Sequence, residues 1–348
     1  MAKKLFPFKR NGRFYFDKDH KPESFLFDTI PSSIRSFIKR PFNIPTDPTI
    51  WVDQHAINNC QIEPSVTWLG HSSFLIQMHG VNIITDPIFD QPSWIYPRML
   101  PLGIPLDNVP PVHAVLISHN HRDHMDEKSL LYIKKISNNQ AQMLVPMGDK
   151  SWFDKRGFAH VHEFEWEQEH AVSNHDQSGA VACTFVPAHH WSQRGLLDKN
   201  KSLWGGWVIH VGQQQIYFAG DTAYRPECFA RIKHIFPTIG LALIPIGPGE
   251  PRSWMRHSHV DADEAGETFL DVGAQHMIPM HWGTFSFGND HFDEPVNKLR
   301  QWWFSNQHRL GSKQLSVLKI GQRFDVPVSS IDQVGEVNMA ADVSEPQL

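Results

Sequence analysis

Short apolar runs that are typical of β-strands recur along the chain from Pro64 onward. The first three are SVTWLG (65–70), SFLIQM (73–78) and VNIITD (81–86), and glycines or turns separate them. The run AVLIS (114–118) is continuously apolar, as expected for a strand that is covered on both faces. Further strands are predicted at 181–187, 206–212, 215–220, 241–247 and 276–280.

Two segments have the apolar spacing of helices. One follows Asp126, where apolar residues recur at helical intervals. The other runs from Asp261 to Asp271, with Asp261 as the N-cap and Gly273 after the end. The chain thus begins with predicted strands and continues with strands mixed with helices. This order predicts an α/β protein with two sheets face to face and helices outside.

Composition narrows the class of protein. Of the 348 residues, 41% are hydrophobic and 20% are charged, which is ordinary for a globular protein. The net charge of −5 argues against a nucleic-acid partner. Three separated cysteines form neither a disulfide framework nor a thiolate site. With no apolar run that suits a signal sequence or a membrane span, the expected location is the cytoplasm.

Both ends differ from the middle of the chain. Residues 1–45 hold ten basic and four acidic residues, a net charge of +6, interleaved with phenylalanines. We favour an arm that packs its phenylalanines on the main domain; the alternative is an arm that binds peripherally at the inner face of the membrane. The predicted organisation is an N-terminal arm (1–60), a catalytic domain (61–324) and an acidic, disordered tail (325–348).

The segment SHNHRDH (118–124) is the main candidate for chemistry. It places His119, His121, Asp123 and His124 within six residues, directly after a buried strand. Imidazole and carboxylate ligands suit Zn²⁺, and residues two apart at a strand end face the same way. The alternative is a solvated polar loop.

Three more polar residues follow predicted strands: His190, Asp221 and His281. Each alone is more typical of a hydrogen-bonding residue that caps a strand end. Because strand ends are where a fold usually places functional groups, we expect all three to join the histidine cluster in one set of seven ligands.

The order HxHxDH, His, GDT, His resembles the metallo-β-lactamase superfamily. Longer motifs are similar to those of N-acyl-phosphatidylethanolamine-hydrolysing phospholipases D. These motifs are TWLGHSS (67–73), TDP (85–87), LISHNHRDH (116–124), FVPAHHW (185–191), FAGDT (218–222), IPIGPGEPR (244–252), HVDADEA (259–265) and PMHWGTF (279–285).

The resemblance implies an αββα sandwich of two mixed sheets flanked by helices, with two zinc ions at one edge. His119, His121 and His190 would hold the first zinc. Asp123, His124 and His281 would hold the second, and Asp221 would bridge the two. His189 competes with His190, because only one of two adjacent strand residues can face the metal; the family pattern favours His190.

Supporting roles are also implied. Asp86 would orient ligands, unless it only forms a turn before Pro87, and Thr222 would support Asp221. His71 would lie near the same edge, with a core or turn position as the alternative. His259 would join Asp123 and Asp221 as a catalytic residue and contact a phosphate oxygen or the leaving group. Arg252, Arg256 and His257 are weaker candidates in the same loop.

The implied activity is a zinc-dependent phosphodiesterase of phospholipase D type. A hydroxide shared by the zinc ions would cleave N-acyl-phosphatidylethanolamine to N-acylethanolamine and phosphatidic acid. Trp94, Trp191, Trp254 and Trp282 are candidates for an acyl trough or for plain core. A lactonase, a hydrolase of small phosphodiesters and a non-enzymatic scaffold remain alternatives. The expected partners are a phospholipid or other phosphodiester substrate, the membrane surface contacted by residues 1–45, and a second copy in a homodimer.

Overall fold

A computed structural model describes residues 3–17, 47, 50–53, 63–174 and 179–327 of the chain. Most of the predicted N-terminal arm, Cys60 and nearly all of the predicted acidic tail lie outside these residues, so those predictions stay open. Within the described ranges, no helix is both long and apolar enough to cross a membrane.

The described strands form two seven-stranded sheets and one hairpin. In the first sheet the order is β16-β3-β4-β5-β6-β7-β8. Its strands are β3 (Ser65–Gly70), β4 (Ser73–Met78), β5 (Val81–Thr85), β6 (Ala114–Leu116), β7 (Gln142–Pro146), β8 (His160–Phe164) and β16 (Arg323–Asp325).

The second sheet has the order β15-β14-β13-β12-β11-β10-β9. Its strands are β9 (Glu169–Ser173), β10 (Ala180–Val186), β11 (Gly206–Val211), β12 (Gln214–Phe218), β13 (Leu241–Pro245), β14 (His276–Met280) and β15 (Gln314–Leu315). In both sheets parallel strands lie beside antiparallel ones, so both sheets are mixed.

Helices cover the outer faces of the sheets. They are α1 (Glu127–Ile136), α2 (Lys150–Asp154), α3 (Pro226–Ile235), α4 (Arg252–Met255), α5 (Ala262–Val272), α6 (Glu294–Ser305) and α7 (Gln307–Leu310). Both predicted caps form: the side chain of Asp126 accepts from the Ser129 backbone N–H, and that of Asp261 from Glu264 N–H. The predicted two-sheet fold with outer helices is therefore confirmed.

Alternation along the strands divides the apolar residues between two cores. Phe74 and Ile76 of β4 join Trp207 in the core between the sheets, while Leu75 packs outward with Leu130 of α1. This is the two-residue period of a strand that is buried on both faces. It explains why the strands of this sheet appear as continuous apolar runs.

A hairpin from the predicted arm packs against the main domain. Strands β1 (Phe8–Arg10) and β2 (Arg13–Tyr15) pair antiparallel, and Phe14 and Phe16 are buried in the core between the sheets. The Phe14 backbone N–H also donates to the Asn200 carbonyl at 2.7 Å. Phe6, by contrast, is exposed.

Candidate metal centre

The predicted ligands lie at one edge of the sandwich, each just beyond the end of a strand. His119 to His124 follow β6, His190 follows β10, Asp221 follows β12 and His281 follows β14. Strands β5 and β6 are parallel in the first sheet, and β12, β13 and β14 are parallel in the second. Their carboxyl ends lie at this edge. The β3–β4 turn, which contains His71, lies there too.

One cluster consists of His119, His121 and His190. Their facing nitrogens lie within 4.8 Å of one another, the span that a single metal ion can bridge. His121 presents Nδ1, which lies 2.7 Å from Nε2 of His119 and 3.4 Å from Nε2 of His190. Three convergent imidazoles are a common zinc-binding set.

A second cluster consists of Asp123, His124 and His281, together with His71. Nε2 of His124 lies 3.3 Å from the Asp123 carboxylate, and Nε2 of His71 lies 3.1 Å from the same oxygen. This cluster contains the three residues that the sequence assigned to a second metal, and it adds one histidine to them.

The Asp221 carboxylate lies between the two clusters. Its Oδ1 is 3.2 Å from Nε2 of His281, and its Oδ2 is 3.3 Å from Nε2 of His124. The same Oδ2 lies 3.8 Å from Nε2 of His190, in the first cluster. One carboxylate therefore reaches ligands of both clusters, as a bridging ligand requires.

Hydrogen bonds on the far side of the rings fix how the imidazoles face the centre. Nδ1 of His190 lies 2.8 Å from the Ser258 carbonyl, and Nδ1 of His281 lies 2.8 Å from the Gly247 carbonyl. A carbonyl only accepts, so each Nδ1 carries the proton and each Nε2 presents its lone pair. The sequence did not predict these partners, because backbone carbonyls leave no signature in residue identity.

Asp86 performs the orienting role that the sequence predicted. It is fully buried at the end of β5, and it accepts hydrogen bonds from Nδ1 of His124 at 2.8 Å and from the Ser118 backbone at 2.7 Å. The Ser118 hydroxyl in turn contacts Asp86 and Nδ1 of His119. Asp86 thus holds one residue from each cluster, directly or through Ser118.

The pKa shifts differ between the two clusters. Burial lowers the pKa of His121 to about 3 and that of His190 to about 4, so both rings are neutral ligands at pH 7. Burial would raise the pKa of Asp221, but the imidazoles of His124 and His281 hold it well below its usual range. Burial opposes charge on His124 as well, yet Asp221 and Asp123 raise its pKa well above the ordinary value.

Buried ligand atoms that lack a hydrogen-bond partner indicate whether the site fits a metal ion. Among the residues that the structure describes, buried atoms without a hydrogen-bond partner include Nε2 of His124, Nε2 of His281 and Oδ1 of Asp221. These atoms contact one another only at ion-pair distances. A buried polar atom without a hydrogen-bond partner destabilises a folded protein. Cations between them would satisfy them all, so the residues present fit a metal.

The structure separates His189 from His190. The His189 ring packs edge-on against Phe16 at 4.8 Å and lies 3.4 Å from a guanidinium nitrogen of Arg225, whereas His190 faces the first cluster. Their adjacent positions direct them to opposite sides, as the sequence predicted.

His71 joins the site more closely than the sequence indicated. Its backbone lies in the left-handed region (φ 54°), and its carbonyl accepts from the His281 N–H at 3.1 Å. Its ring lies 4.0 Å from that of His281. Burial, and next the neighbouring His281, lower its pKa to about 3. A neutral His71 therefore contacts two members of the second cluster.

The loop before α5 carries His259 to the centre. Nδ1 of His259 lies 3.7 Å from Asp221 Oδ2, and the backbone of His259 is held by Arg252, which donates to its carbonyl at 2.9 Å. Arg252 also pairs with Asp261 and Glu264, so it serves this loop rather than a ligand. Arg256 and His257 are exposed.

One other expectation needs correction. The Thr222 hydroxyl accepts from the His189 backbone N–H and donates to the Ala223 carbonyl, so it supports the His189 strand end rather than Asp221. Trp282 stacks on Trp68 in the core, 5.3 Å between ring centroids, and it also lines the cavity beside His281. Trp191 is the candidate that contacts the centre, 4.3 Å from the His121 ring.

Two facing mixed sheets with histidine and aspartate clusters at one edge form a site that could hold metal ions, in a fold shared with metal-dependent hydrolases. A family model described as a beta-lactamase superfamily domain matches residues 81–282, and the chain therefore belongs to the metallo-β-lactamase superfamily. The matched region covers every predicted metal ligand.

Similar proteins include two named phospholipases. The "N-acyl-phosphatidylethanolamine-hydrolyzing phospholipase D 1" of Caenorhabditis elegans is 34% identical over 246 residues, 68% of this chain and 68% of that protein. Its mitochondrial counterpart in Saccharomyces cerevisiae is 35% identical over 240 residues, 67% of this chain but only 50% of the yeast protein. The chain thus matches half the length of the yeast relative.

Solved structures share the fold at lower identity. A metallo hydrolase from the archaeon Ignicoccus hospitalis superposes with a TM-score of 0.57 at 21% identity, covering 76% of this chain and 99% of that chain. At this identity the likeness extends to the fold alone.

We predict that His190→Ala and His189→Ala differ in metal content. His190→Ala reduces the first cluster to two imidazoles, so elemental analysis of dialysed protein should find about one ion fewer per chain. His189→Ala is the matched control, and it should keep its metal even if loss of the Phe16 contact lowers its Tm. Metal loss in the control alone would mean that His189 is the ligand.

We predict that His71→Asn weakens metal binding at the second cluster by about 10- to 100-fold, the usual effect of removing a group that supports a ligand. Asparagine tolerates a left-handed backbone, so the change tests the ring rather than the turn. Competition titration with a chelator should resolve one weakened and one unchanged binding step. Two unchanged steps would leave His71 with a packing role only.

Proposed function

We propose that the chain is a two-zinc phosphodiesterase of phospholipase D type, which hydrolyses N-acyl-phosphatidylethanolamines to N-acylethanolamine and phosphatidic acid. The observation that carries the proposal is Asp221, whose carboxylate reaches ligands of both clusters. The two phospholipase relatives at about 35% identity support the choice of substrate.

His119, His121 and His190 would hold one zinc ion, and Asp123, His124 and His281 the other, with Asp221 shared. Bound zinc would supply Lewis acidity toward water and toward the phosphoryl oxygens. The protein's own part is to keep the ligands oriented: Asp86, Ser118 and the carbonyls of Ser258 and Gly247 hold the rings in place before any substrate arrives.

His259 would act on the substrate. Its Nδ1 has no hydrogen-bond partner within the described part of the chain and lies 3.7 Å from Asp221, and its backbone is held by Arg252. A donor held in this way can contact the oxygens on which negative charge builds up during phosphoryl transfer. Asp123 and Asp221 would contribute through the metal positions, where their charges are buried among imidazoles.

We expect His259→Ala to keep its metal but to turn over a phosphodiester about 10²- to 10³-fold more slowly, as when one preorganised donor is lost. Elemental analysis and kcat on the same preparation separate the two effects. Loss of metal from the variant would instead make His259 a ligand, as its place beside His190 and Asp221 also permits.

The substrate is tested with zinc-loaded protein and three compounds: N-acyl-phosphatidylethanolamine, a short soluble phosphodiester and an acyl lactone. We expect the lipid to have the highest kcat/KM, because binding energy from its acyl chains can be used at the reacting phosphorus. Protein stripped of metal by a chelator should be inactive on all three. A lactone preferred over inert phosphodiesters would refute the phospholipase proposal and leave the fold and metal centre intact.

A further inference from the structure

The loop that follows the metal-facing His190 exposes two adjacent leucines. It runs from residue 192 to 200 with the sequence SQRGLLDKN, between β10 and β11. Leu196 is 95% exposed and Leu197 is 81% exposed. Single exposed leucines are common on protein surfaces, but a fully exposed pair at the tip of one loop is a small apolar patch that would favour burial.

The exposure is a fixed feature of this loop, because its own side chains hold its backbone. At its base, Asn200 N–H donates to the Ser192 carbonyl at 2.7 Å, and the Asn200 side chain accepts from Ser192 N–H at 3.2 Å. Nearer the tip, the Asp198 carboxylate accepts from Gly195 N–H at 2.8 Å and from Arg194 N–H at 3.2 Å. These hydrogen bonds pair the backbone groups of the loop with one another and with its own side chains, and the two leucines project from it.

The same loop is anchored to the metal centre. Trp191, the residue before it, packs on the His121 ring. Arg194 reaches back to the HxHxDH segment, where it donates to the Met125 carbonyl at 2.7 Å. A molecule that covers the leucines would therefore lie next to the rim of the candidate active site.

Basic residues surround the leucines. The Arg13 guanidinium of the N-terminal hairpin donates to the carbonyls of Lys199 and of Leu197, the latter at 3.3 Å. Arg13 pairs with Arg10 across the hairpin. Lys9 and Arg10 of the same hairpin are exposed, and so is Lys201, which directly follows the loop.

We propose that Leu196, Leu197 and these basic residues form a docking surface for an anionic lipid bilayer. The leucines would enter the interfacial region, and the lysines and arginines would meet anionic headgroups, which is the combination that peripheral membrane binding requires. Binding through this surface would bring the metal centre close to its lipid substrate. This role of the surface rests on the proposed function.

The test uses vesicles that contain no N-acyl lipid, so that binding is measured without turnover. Full-length protein is sedimented with phosphatidylglycerol–phosphatidylcholine vesicles and with pure phosphatidylcholine vesicles, at low and at high salt. We expect the L196A/L197A double variant to bind anionic vesicles at least tenfold more weakly at both salt concentrations, because apolar burial is not screened by salt. Phe304→Ala is the matched control, since Phe304 is 80% exposed on α6, and its binding should be unchanged.

Charge is tested separately with the K9E/R10E double variant. Its binding to anionic vesicles should fall strongly at low salt and little at high salt, where the wild-type attraction is already screened. Loss of binding to pure phosphatidylcholine, where no anionic headgroup is present, would contradict the electrostatic part of the proposal.

Turnover separates this proposal from the proposed function. L196A/L197A should hydrolyse a soluble phosphodiester at the wild-type rate and a vesicle-borne lipid more slowly. Failure of every phosphodiester would refute the proposed function, and the vesicle measurement would still decide the docking surface. Equal vesicle binding by wild type and L196A/L197A would overturn the docking surface. If the wild type is a dimer, and L196A/L197A is a monomer with unchanged vesicle binding, the leucines form a dimer contact instead.

Discussion

The edge of the sandwich depends on one buried charge, the carboxylate of Asp221. It is almost completely inaccessible to water, and nitrogen atoms of His119, His124, His190, His259 and His281 surround it at 3.2 to 3.9 Å. A carboxylate in such a place is costly unless positive charge accompanies it. Burial lowers the pKa values of His119, His190 and His259, so these neutral imidazoles do not provide that charge. Cations between them do, and the loops at this edge are built to keep the ligands converging.

The sequence was sufficient for the parts of the site that are set by local geometry. His119 and His121 are two residues apart at a strand end, and His189 and His190 are adjacent, so the alternation of strand side chains decides how each pair faces. The central strands were predictable for the same kind of reason: a strand covered on both faces contains few polar residues. Alternation could not tell which of the two adjacent histidines faces the centre, and the choice of His190 came from the family resemblance.

The strands that the sequence did not predict are mainly edge strands. β8, β9, β15 and β16 lie at the ends of the two sheets, and β8 and β9 contain histidine and glutamate among their few apolar residues. Polar side chains are typical of edge strands, where they discourage pairing with a strand of another molecule. They also interrupt the apolar run by which a strand is identified in the sequence. His71 was underestimated for another reason: its contacts with Asp123 and His281 join residues that are far apart in sequence.

Backbone strain marks the same edge. His71, Asp86 and His281 all have positive φ values, between 33° and 62°, which non-glycine residues adopt only at some cost. Each turns the chain sharply at a strand end so that a side chain faces the centre. Regular strands lead up to this edge and tightly turned residues form it, so the fold fixes the metal-binding geometry. The loops 192–200 and 247–261 lie beside this edge, and the second of them brings His259 to the centre. Ligands positioned by strand ends can serve several hydrolytic reactions, so the fold and the metal ligands alone do not determine the substrate.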